Sequence, residues 1–342
     1  MVPVVPLSQS SAFPPIFLII MTHPVRVTDS SGLMMIVLSG AILAGCGTEA
    51  ALQLLPEAPP AESTAKMEVA GTELFVRTVG DGPPVLVIHG GPVLDQGYLY
   101  KALAPLGREW EMIFYDQRLS GQSSSASDPV TLNTFVEDIE ALRIALEHER
   151  IDILAHSWGG LLGQMYAARY PDRVRHLILS GSMAPSAEIR MTEDEAQRAA
   201  MGPDDMQAME AVRQTEAYQQ QTPEGIEAML VASFRSSFHS PMLAAGLEFE
   251  IPADYAERSQ KFGAIFPDLQ DYDLTDELPN ITASTLLLYG AEEPGATRGG
   301  AVMAELIPRA TLETIPESGH FPFIEWPEQF LGRVALFLRT GR

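Results

Sequence analysis

The sequence predicts an α/β protein: a mostly parallel sheet flanked by helices on both faces. Three observations carry this. Short apolar runs, at residues 85–88, 112–115 and 286–289, alternate with longer segments whose apolar residues recur at helical spacing. The runs are apolar throughout rather than alternating, as strands covered on both faces must be. They end in clusters of glycine and polar residues, and ligands on such sheets sit at the carboxyl ends of the strands.

In chain order, residues 73–79 alternate and predict a strand. Run 85–88 is a strand ending in His89-Gly90-Gly91-Pro92, and run 112–115 one ending in Asp116-Gln117-Arg118. Residues 132–146 carry Leu132, Phe135, Val136, Ile139, Leu142, Ala145 and Leu146 at helical spacing. Residues 151–155 predict a strand with Ser157 just beyond it. A helix over 161–170 stops before Pro171, whose ring cannot continue it, and 177–179 form the next strand. Between 183 and 278 the composition shifts to Met, Gln, Glu and Ala without a buried-strand run, which predicts an inserted helical cap. Strand 286–289, helix 302–306, strand 311–315 and a closing helix 327–338 complete the pattern. The core is therefore 66–182 plus 279–342, interrupted by the cap at 183–278.

The chain has 342 residues, 46% hydrophobic and 20% charged, enough apolar material for one large core and an inserted subdomain. Its 22 basic against 45 acidic residues give a net charge of −23, which excludes a nucleic-acid partner, since phosphate contacts need a basic face. Cys46 is the sole cysteine, so neither a disulfide framework nor a cysteine metal site is available, and no other metal site is visible. Residues 33–45 are apolar and uncharged, too short for a membrane span of about 20 residues but right for a secretory signal. The run ends Leu43-Ala44-Gly45-Cys46, which resembles a bacterial lipobox. That resemblance implies a signal peptide at 1–45, lipidation of Cys46, and an exported lipoprotein held to a membrane on its periplasmic or cell-surface side. Basic residues are scarce before the run, so Met21 or a later position is an alternative start; an uncleaved anchor is the alternative to lipidation. Residues 46–65, with Pro56, Pro59 and Pro60, read as the lipidated end and a flexible tether.

The chemistry centres on Ala155-His156-Ser157-Trp158-Gly159-Gly160, between a predicted strand and helix. A serine on such a turn has its hydroxyl lifted above the sheet, and small neighbours are needed where strand and helix backbones nearly touch. Serine needs an adjacent base. His320, in Ser318-Gly319-His320-Phe321-Pro322 after the last strand, is the candidate. His156 is expected to point away from the site if Ser157 points into it, and His89 to shape its loop; His148, His176 and His239 read as helix or surface residues. The base needs a carboxylate to fix its tautomer. Glu293, three residues after Gly290, has the expected spacing; Glu292 is a rival and Asp116 a remote one. The oxyanion needs donors: the Trp158 N–H supplies one and Gly91 the other, since Pro92 has no N–H.

With these residues in place the chain resembles the α/β-hydrolase superfamily and, within it, the proline iminopeptidase group. The match spans 72–182 and 284–340 and rests on His89-Gly90-Gly91-Pro92, Asp116-Gln117-Arg118 through Gly121 and Ser123, His156-Ser157-Trp158-Gly159-Gly160, and Gly319-His320-Phe321-Pro322 leading to Glu325. The resemblance implies a cofactor-free serine hydrolase that acylates Ser157 and releases the acyl group to water. The chain departs from the group at Val93 and Leu119, where glycine is usual, at Glu293, where aspartate is more frequent, and in a cap without tryptophan. The group recognises a substrate amine with acidic cap residues. Glu193, Glu195, Glu210, Glu216, Glu227, Glu248 and Glu250 are available, and no one of them is singled out. Phe234, Phe238, Phe249 and Phe262 are candidates to line an apolar pocket.

The first functional reading is an aminopeptidase of proline iminopeptidase type, releasing N-terminal residues from short peptides. The second is a carboxylesterase or other small-acyl hydrolase using the same residues, and the third a non-catalytic binding protein on a hydrolase scaffold. A dehalogenase or epoxide hydrolase is disfavoured, because those use aspartate where Ser157 stands.

Overall fold

The computed structural model describes residues 60–125 and 129–342, so the apolar run 33–45 and Cys46 lie outside the described residues. The strands are β1 (Glu62–Val69), β2 (Thr72–Val79), β3 (Pro84–Ile88), β4 (Glu111–Tyr115), β5 (Ile151–His156), β6 (Val174–Ser180), β7 (Ser284–Gly290) and β8 (Ala310–Ile315). They form one eight-stranded sheet in the order β1-β2-β4-β3-β5-β6-β7-β8. The pairs β1–β2 and β2–β4 are antiparallel, and every other pair is parallel. Strands β5 and β7 are buried at every position, which is why their sequences read as unbroken apolar runs.

Successive residues of one strand feed different cores, because side chains alternate across a sheet. Leu86 and Ile88 pack with helices α2 (Leu132–Ala145) and α3 (Trp158–Arg169), through residues such as Phe135, Ile139 and Leu162. Val85 and Val87 pack on the other face with α1 (Gly97–Leu103) and the final helix Pro327–Thr340, through Leu99, Leu103, Phe330 and Val334. Helix α2 starts where the Thr131 side chain accepts the Thr134 N–H.

Between β6 and β7 the chain forms α4 (Ala187–Ala200), α5 (Pro203–Arg213), α6 (Glu216–Gln219), α7 (Pro223–Phe234), α8 (Tyr255–Phe262) and α9 (Phe266–Asp271). This is the helical insertion the composition predicts. Its neck is closed by an isolated bridge between Ser186 and Asp273 and by the Leu274 N–H donating to the Pro185 carbonyl. The core then resumes with α10 (Gly299–Leu306), α11 (Pro322–Glu325) and α12 (Pro327–Thr340). No helix among the described residues is long and apolar enough to cross a membrane.

Besides the short helices α1 and α11, which the sequence expectation does not include, two elements begin elsewhere than expected in ways that bear on the sheet edge and the site. Strand β1 begins at Glu62, inside the segment 46–65 read as a tether, so the tether reading fails for its last residues. Nearly all of β1 is exposed, so it carries no apolar alternation; its ladder to β2, closed by Ala70 and Gly71 in the left-handed region, holds it as a sheet edge. Helix α3 starts at Trp158 rather than Leu161, because the turn at Ser157 opens directly into it.

Candidate active site

Ser157 follows β5 with φ 56 and ψ −121, a strained backbone for a residue with a side chain. The surroundings hold it there. Its N–H donates to the Ser180 carbonyl at 3.1 Å, and its own carbonyl accepts from Gly160 at 2.9 Å and Met183 at 3.0 Å. The turn works only with a small residue two positions on: a Cβ on Gly159 would collide with the Ile88 and His89 carbonyls at the end of β3.

His320 stands beyond β8, and its Nδ1 lies 2.6 Å from Glu293 Oε1. Glu293 stands beyond β7. Gly181, beyond β6, seats the pair: its φ is +48, and a Cβ there would sit 3.1 Å from His320 Nδ1 and 3.2 Å from the Glu293 carboxylate. The loop carrying His320 is held by Glu325, whose carboxylate accepts from Ser318 Oγ (2.9 Å), the Gly319 N–H (2.7 Å) and the cap Ser240 N–H (3.2 Å). The His320 N–H donates to the cap Ser237 carbonyl at 2.7 Å.

The rival acids have other partners. Glu292 lies 2.7 Å from His239 Nδ1 on the exposed surface. Asp116 is buried and accepts the Gln96 and Gln122 N–H groups at 3.1 and 2.7 Å; burial pushes its carboxyl up to about 7. Of the three candidates, only Glu293 is brought to His320.

The loop after β3 approaches Ser157 from the other side. The N–H groups of Gly91 and Trp158 have no acceptor among the described residues. The Gly90 N–H is taken by Tyr98 Oη at 2.7 Å. His89 shapes the loop, as expected: its Nδ1–H donates to the Gly90 carbonyl at 2.9 Å and its Nε2 accepts the Gln117 N–H at 3.1 Å. Burial pushes His89 down to about 4, so it is neutral. The Gln117 side chain ties this loop to the helix after Ser157, donating to the His89 carbonyl (2.7 Å) and accepting from Trp158 Nε1 (2.8 Å). Arg118 forms a buried two-bonded pair with Asp138. Val93 and Leu119, where the resemblance leads one to expect glycine, have φ 65 and 67.

The expectation for His156 is wrong. It does not point away from the site: its ring centroid is 4.6 Å from that of His320. Its Nδ1 lies 2.8 Å from Tyr98 Oη and its Nε2 3.0 Å from the His320 carbonyl. Burial holds His156 well below the usual histidine range, and the nearby His320 pushes in the same direction. Strand alternation does not carry across Ser157, because the turn at that residue resets the direction of the chain. Tyr98, on a short helix, is a site residue that no local sequence signal marks.

Ser157 and His320 line one small cavity of about 10 Å³, together with Gly90, Gly91, His156, Leu94, Tyr98, Phe234, Phe249 and Phe321. That is room for about one water. No carboxylate is among the described residues lining it. Phe234 and Phe249 thus take the role expected of them. Phe238 stacks on Phe321 at 4.6 Å, whereas Phe262 packs in the core against Trp158 at 5.5 Å. The candidate glutamates stand further off: Glu193 accepts the Gly299 N–H (2.8 Å), Glu227 the Phe249 N–H (3.0 Å), and Glu248 pairs with Lys101. A second cavity of about 260 Å³ opens between cap and core beyond His320, lined by polar groups including Gln197, Asp205, Ser236, Ser237, Glu292 and Glu293.

Comparison with known proteins identifies the same fold. Residues 83–327 fit a family model described as the alpha/beta hydrolase fold. The chain is 28% identical over 273 residues to a proline iminopeptidase of Heyndrickxia coagulans, covering 76% of this chain and 92% of that protein. It is 28% identical over 289 residues to a proline iminopeptidase of Levilactobacillus brevis, covering 78% and 93%. Among solved structures, a proline iminopeptidase of Mycobacterium smegmatis aligns with a TM-score of 0.65 at 24% identity, over 82% of this chain and 98% of that one. An esterase from Exiguobacterium antarcticum aligns with a TM-score of 0.62 at 24% identity, over 81% and 100%. At such identities these two structures speak to the fold alone, and their names carry different activities. With the family model spanning most of the sheet and cap, and a strained serine at the turn that such sheets use, the chain belongs to the α/β-hydrolase fold family.

Proposed function

We propose that this protein is a serine hydrolase that cleaves small acyl compounds through an acyl-enzyme on Ser157. The observation that carries the reading is the Glu293–His320 pair, 2.6 Å apart, converging on the cavity that contains Ser157. His320 Nε2 takes the Ser157 Oγ proton as Oγ attacks the acyl carbon. The Gly91 and Trp158 N–H groups stabilise the oxyanion, a contribution of about 3 to 4 kcal/mol per donor in such sites. The intermediate collapses, and His320 returns the proton to the leaving group. Water then repeats the sequence in reverse order of roles and frees the acid. Glu293 keeps the proton of His320 on Nδ1 and offsets the imidazolium charge.

The acyl group we assign is uncharged and apolar. Leu94, Tyr98, Phe234, Phe249 and Phe321 surround Ser157, and a substrate ammonium buried among them without a carboxylate would lose its hydration uncompensated. This favours the carboxylesterase reading. One observation favours the iminopeptidase reading instead: Asp95, Glu227 and Glu250 gather behind Phe249, where burial, with a smaller push from the other two carboxylates, raises the Asp95 carboxyl. The curated relatives bear that name as well. Turnover of matched charged and uncharged acyl compounds separates the two.

We also infer export and lipidation at Cys46 from residues 33–46. Metabolic labelling with a fatty acid, present in the full chain and lost in Cys46→Ser, is the expected result; equal labelling of both would remove the anchor.

A further inference from the structure

We propose that Tyr98 and His156 form a positioning relay that keeps the base and the oxyanion loop in register with Ser157 while the cap opens. This rests on the serine-hydrolase reading of the site.

The relay is one directed chain of hydrogen bonds. The Gly90 N–H donates to Tyr98 Oη at 2.7 Å. Tyr98 Oη then donates to His156 Nδ1 at 2.8 Å, which leaves the proton of a neutral imidazole on Nε2. That Nε2–H donates to the His320 carbonyl at 3.0 Å. The His320 carbonyl can only accept, so Nε2 carries a proton; with His156 held neutral by burial, Nδ1 is then the acceptor of the Tyr98 hydroxyl. A neutral His156 also spares the imidazolium that His320 becomes in each half-reaction a like charge beside it.

The relay touches both ends of the chemistry. At one end it occupies the Gly90 N–H, which leaves the Gly91 N–H as the donor of this loop without an acceptor among the described residues. At the other it grips the backbone of the base. The His320 backbone is held twice: its N–H by the cap Ser237 carbonyl at 2.7 Å, and its carbonyl by His156. The cavity of about 10 Å³ is walled on its cap side by Phe234 and Phe249, so an acyl group is admitted by moving that part of the cap. Lifting it takes the Ser237 carbonyl away from His320. The His156 bond belongs wholly to the core and stays. On the core side Tyr98 is braced by an edge-on contact to Phe321, 6.4 Å between ring centroids.

The test uses the full chain and a fluorophosphonate probe, which reads Ser157 reactivity without knowledge of the substrate. Second-order labelling rates and thermal midpoints are measured for the wild type, Tyr98→Phe, His156→Leu and His156→Gln. Removing one buried hydrogen bond of the relay predicts labelling about tenfold slower in Tyr98→Phe. The same variant should show a lower kcat on a nitrophenyl ester with KM unchanged. His156→Leu should be slower still, and His156→Gln, whose amide can donate to the His320 carbonyl, should recover part of the rate. A purely structural role would lower the midpoints and leave the rate per folded molecule alone. Folded Tyr98→Phe labelled at the wild-type rate, or His156→Gln no faster than His156→Leu, would overturn the relay. An unlabelled wild type would instead overturn the hydrolase reading, and the relay with it.

Discussion

Glu292 and Glu293 are neighbours in the chain with opposite circumstances. One faces solvent beside His239, and the other is nearly buried beside His320. Glu293→Gln should therefore lower kcat by about 10³-fold or more, in line with the loss of the orienting carboxylate in serine hydrolases, while Glu292→Gln changes it by less than about threefold. Steady-state kinetics of the two variants check this, and the reverse ordering would move the acid to Glu292. Ser157→Ala should abolish turnover with a thermal midpoint close to wild type, because alanine meets the same backbone strain and the described bonds of this residue are backbone ones. Residual turnover above that of a mock preparation would remove Ser157 from the nucleophile's place. The places of Ser157, Glu293 and His320 were legible because each lies within a few residues of a strand end, at β5, β7 and β8, although spacing alone left Glu292 beside Glu293 as a rival. The direction of His156 and the presence of Tyr98 were not, since both depend on how a turn and a short helix dispose chain segments that lie apart in sequence.

At the scale of elements, strain and packing oppose each other in the loop after β3. Val93 is buried at φ 65, a conformation that costs a β-branched residue about 1–3 kcal/mol. Val93→Gly removes that strain and also loses burial of about 1.5–3 kcal/mol, so its net effect should be under about 2 kcal/mol. Val87→Gly, in the unstrained middle of β3, loses burial with no relief and should cost about 3 kcal/mol or more. Equal losses in denaturant unfolding would mean that the loop conformation carries no strain.

The latch between cap helix α4 and the start of α10, where Glu193 accepts the Gly299 N–H, should respond to pH. Burial raises the Glu193 carboxyl to about 7, against the Gly299 N–H, with Glu293 and Asp194 adding repulsion and Arg298 attraction. The unfolded carboxyl has the ordinary value of 4.5, so between about 4.5 and about 7 the folded state holds a proton that the unfolded state has released. Stability from this group therefore falls as pH rises through that window. Glu193→Gln removes the dependence, so its thermal midpoint relative to wild type should be more favourable at about pH 8 than at about pH 4.5. The difference between the proteins is the useful quantity, because His89 and His156, both lowered, tilt stability the other way over much of the same range. A constant difference would mean that the Glu193 carboxyl titrates alike in the folded and unfolded states.

For the whole molecule, alternation of apolar runs and helical segments made the sheet and the inserted cap legible from sequence. The edge strand β1 was missed because an exposed strand leaves no apolar pattern, and its partner across the ladder supplies what its own sequence does not. The cap's contribution to the site was legible only as a list of phenylalanines and glutamates. Folding decides among them, bringing Phe234 and Phe249 to Ser157 and leaving the glutamates outside that cavity. The central claim is that this cavity takes an uncharged apolar acyl group onto Ser157. It is tested most directly by kcat/KM on a matched pair of phenyl esters, of proline and of cyclopentanecarboxylic acid, with Ser157→Ala as the blank for spontaneous hydrolysis. The two acyl groups share a ring size and differ in the amine. The cyclopentane ester should be cleaved at least about tenfold more efficiently, the penalty of leaving one charged group unpaired. Preference for the proline ester would contradict it, and would assign the carboxylates behind Phe249 to recognition of the substrate amine.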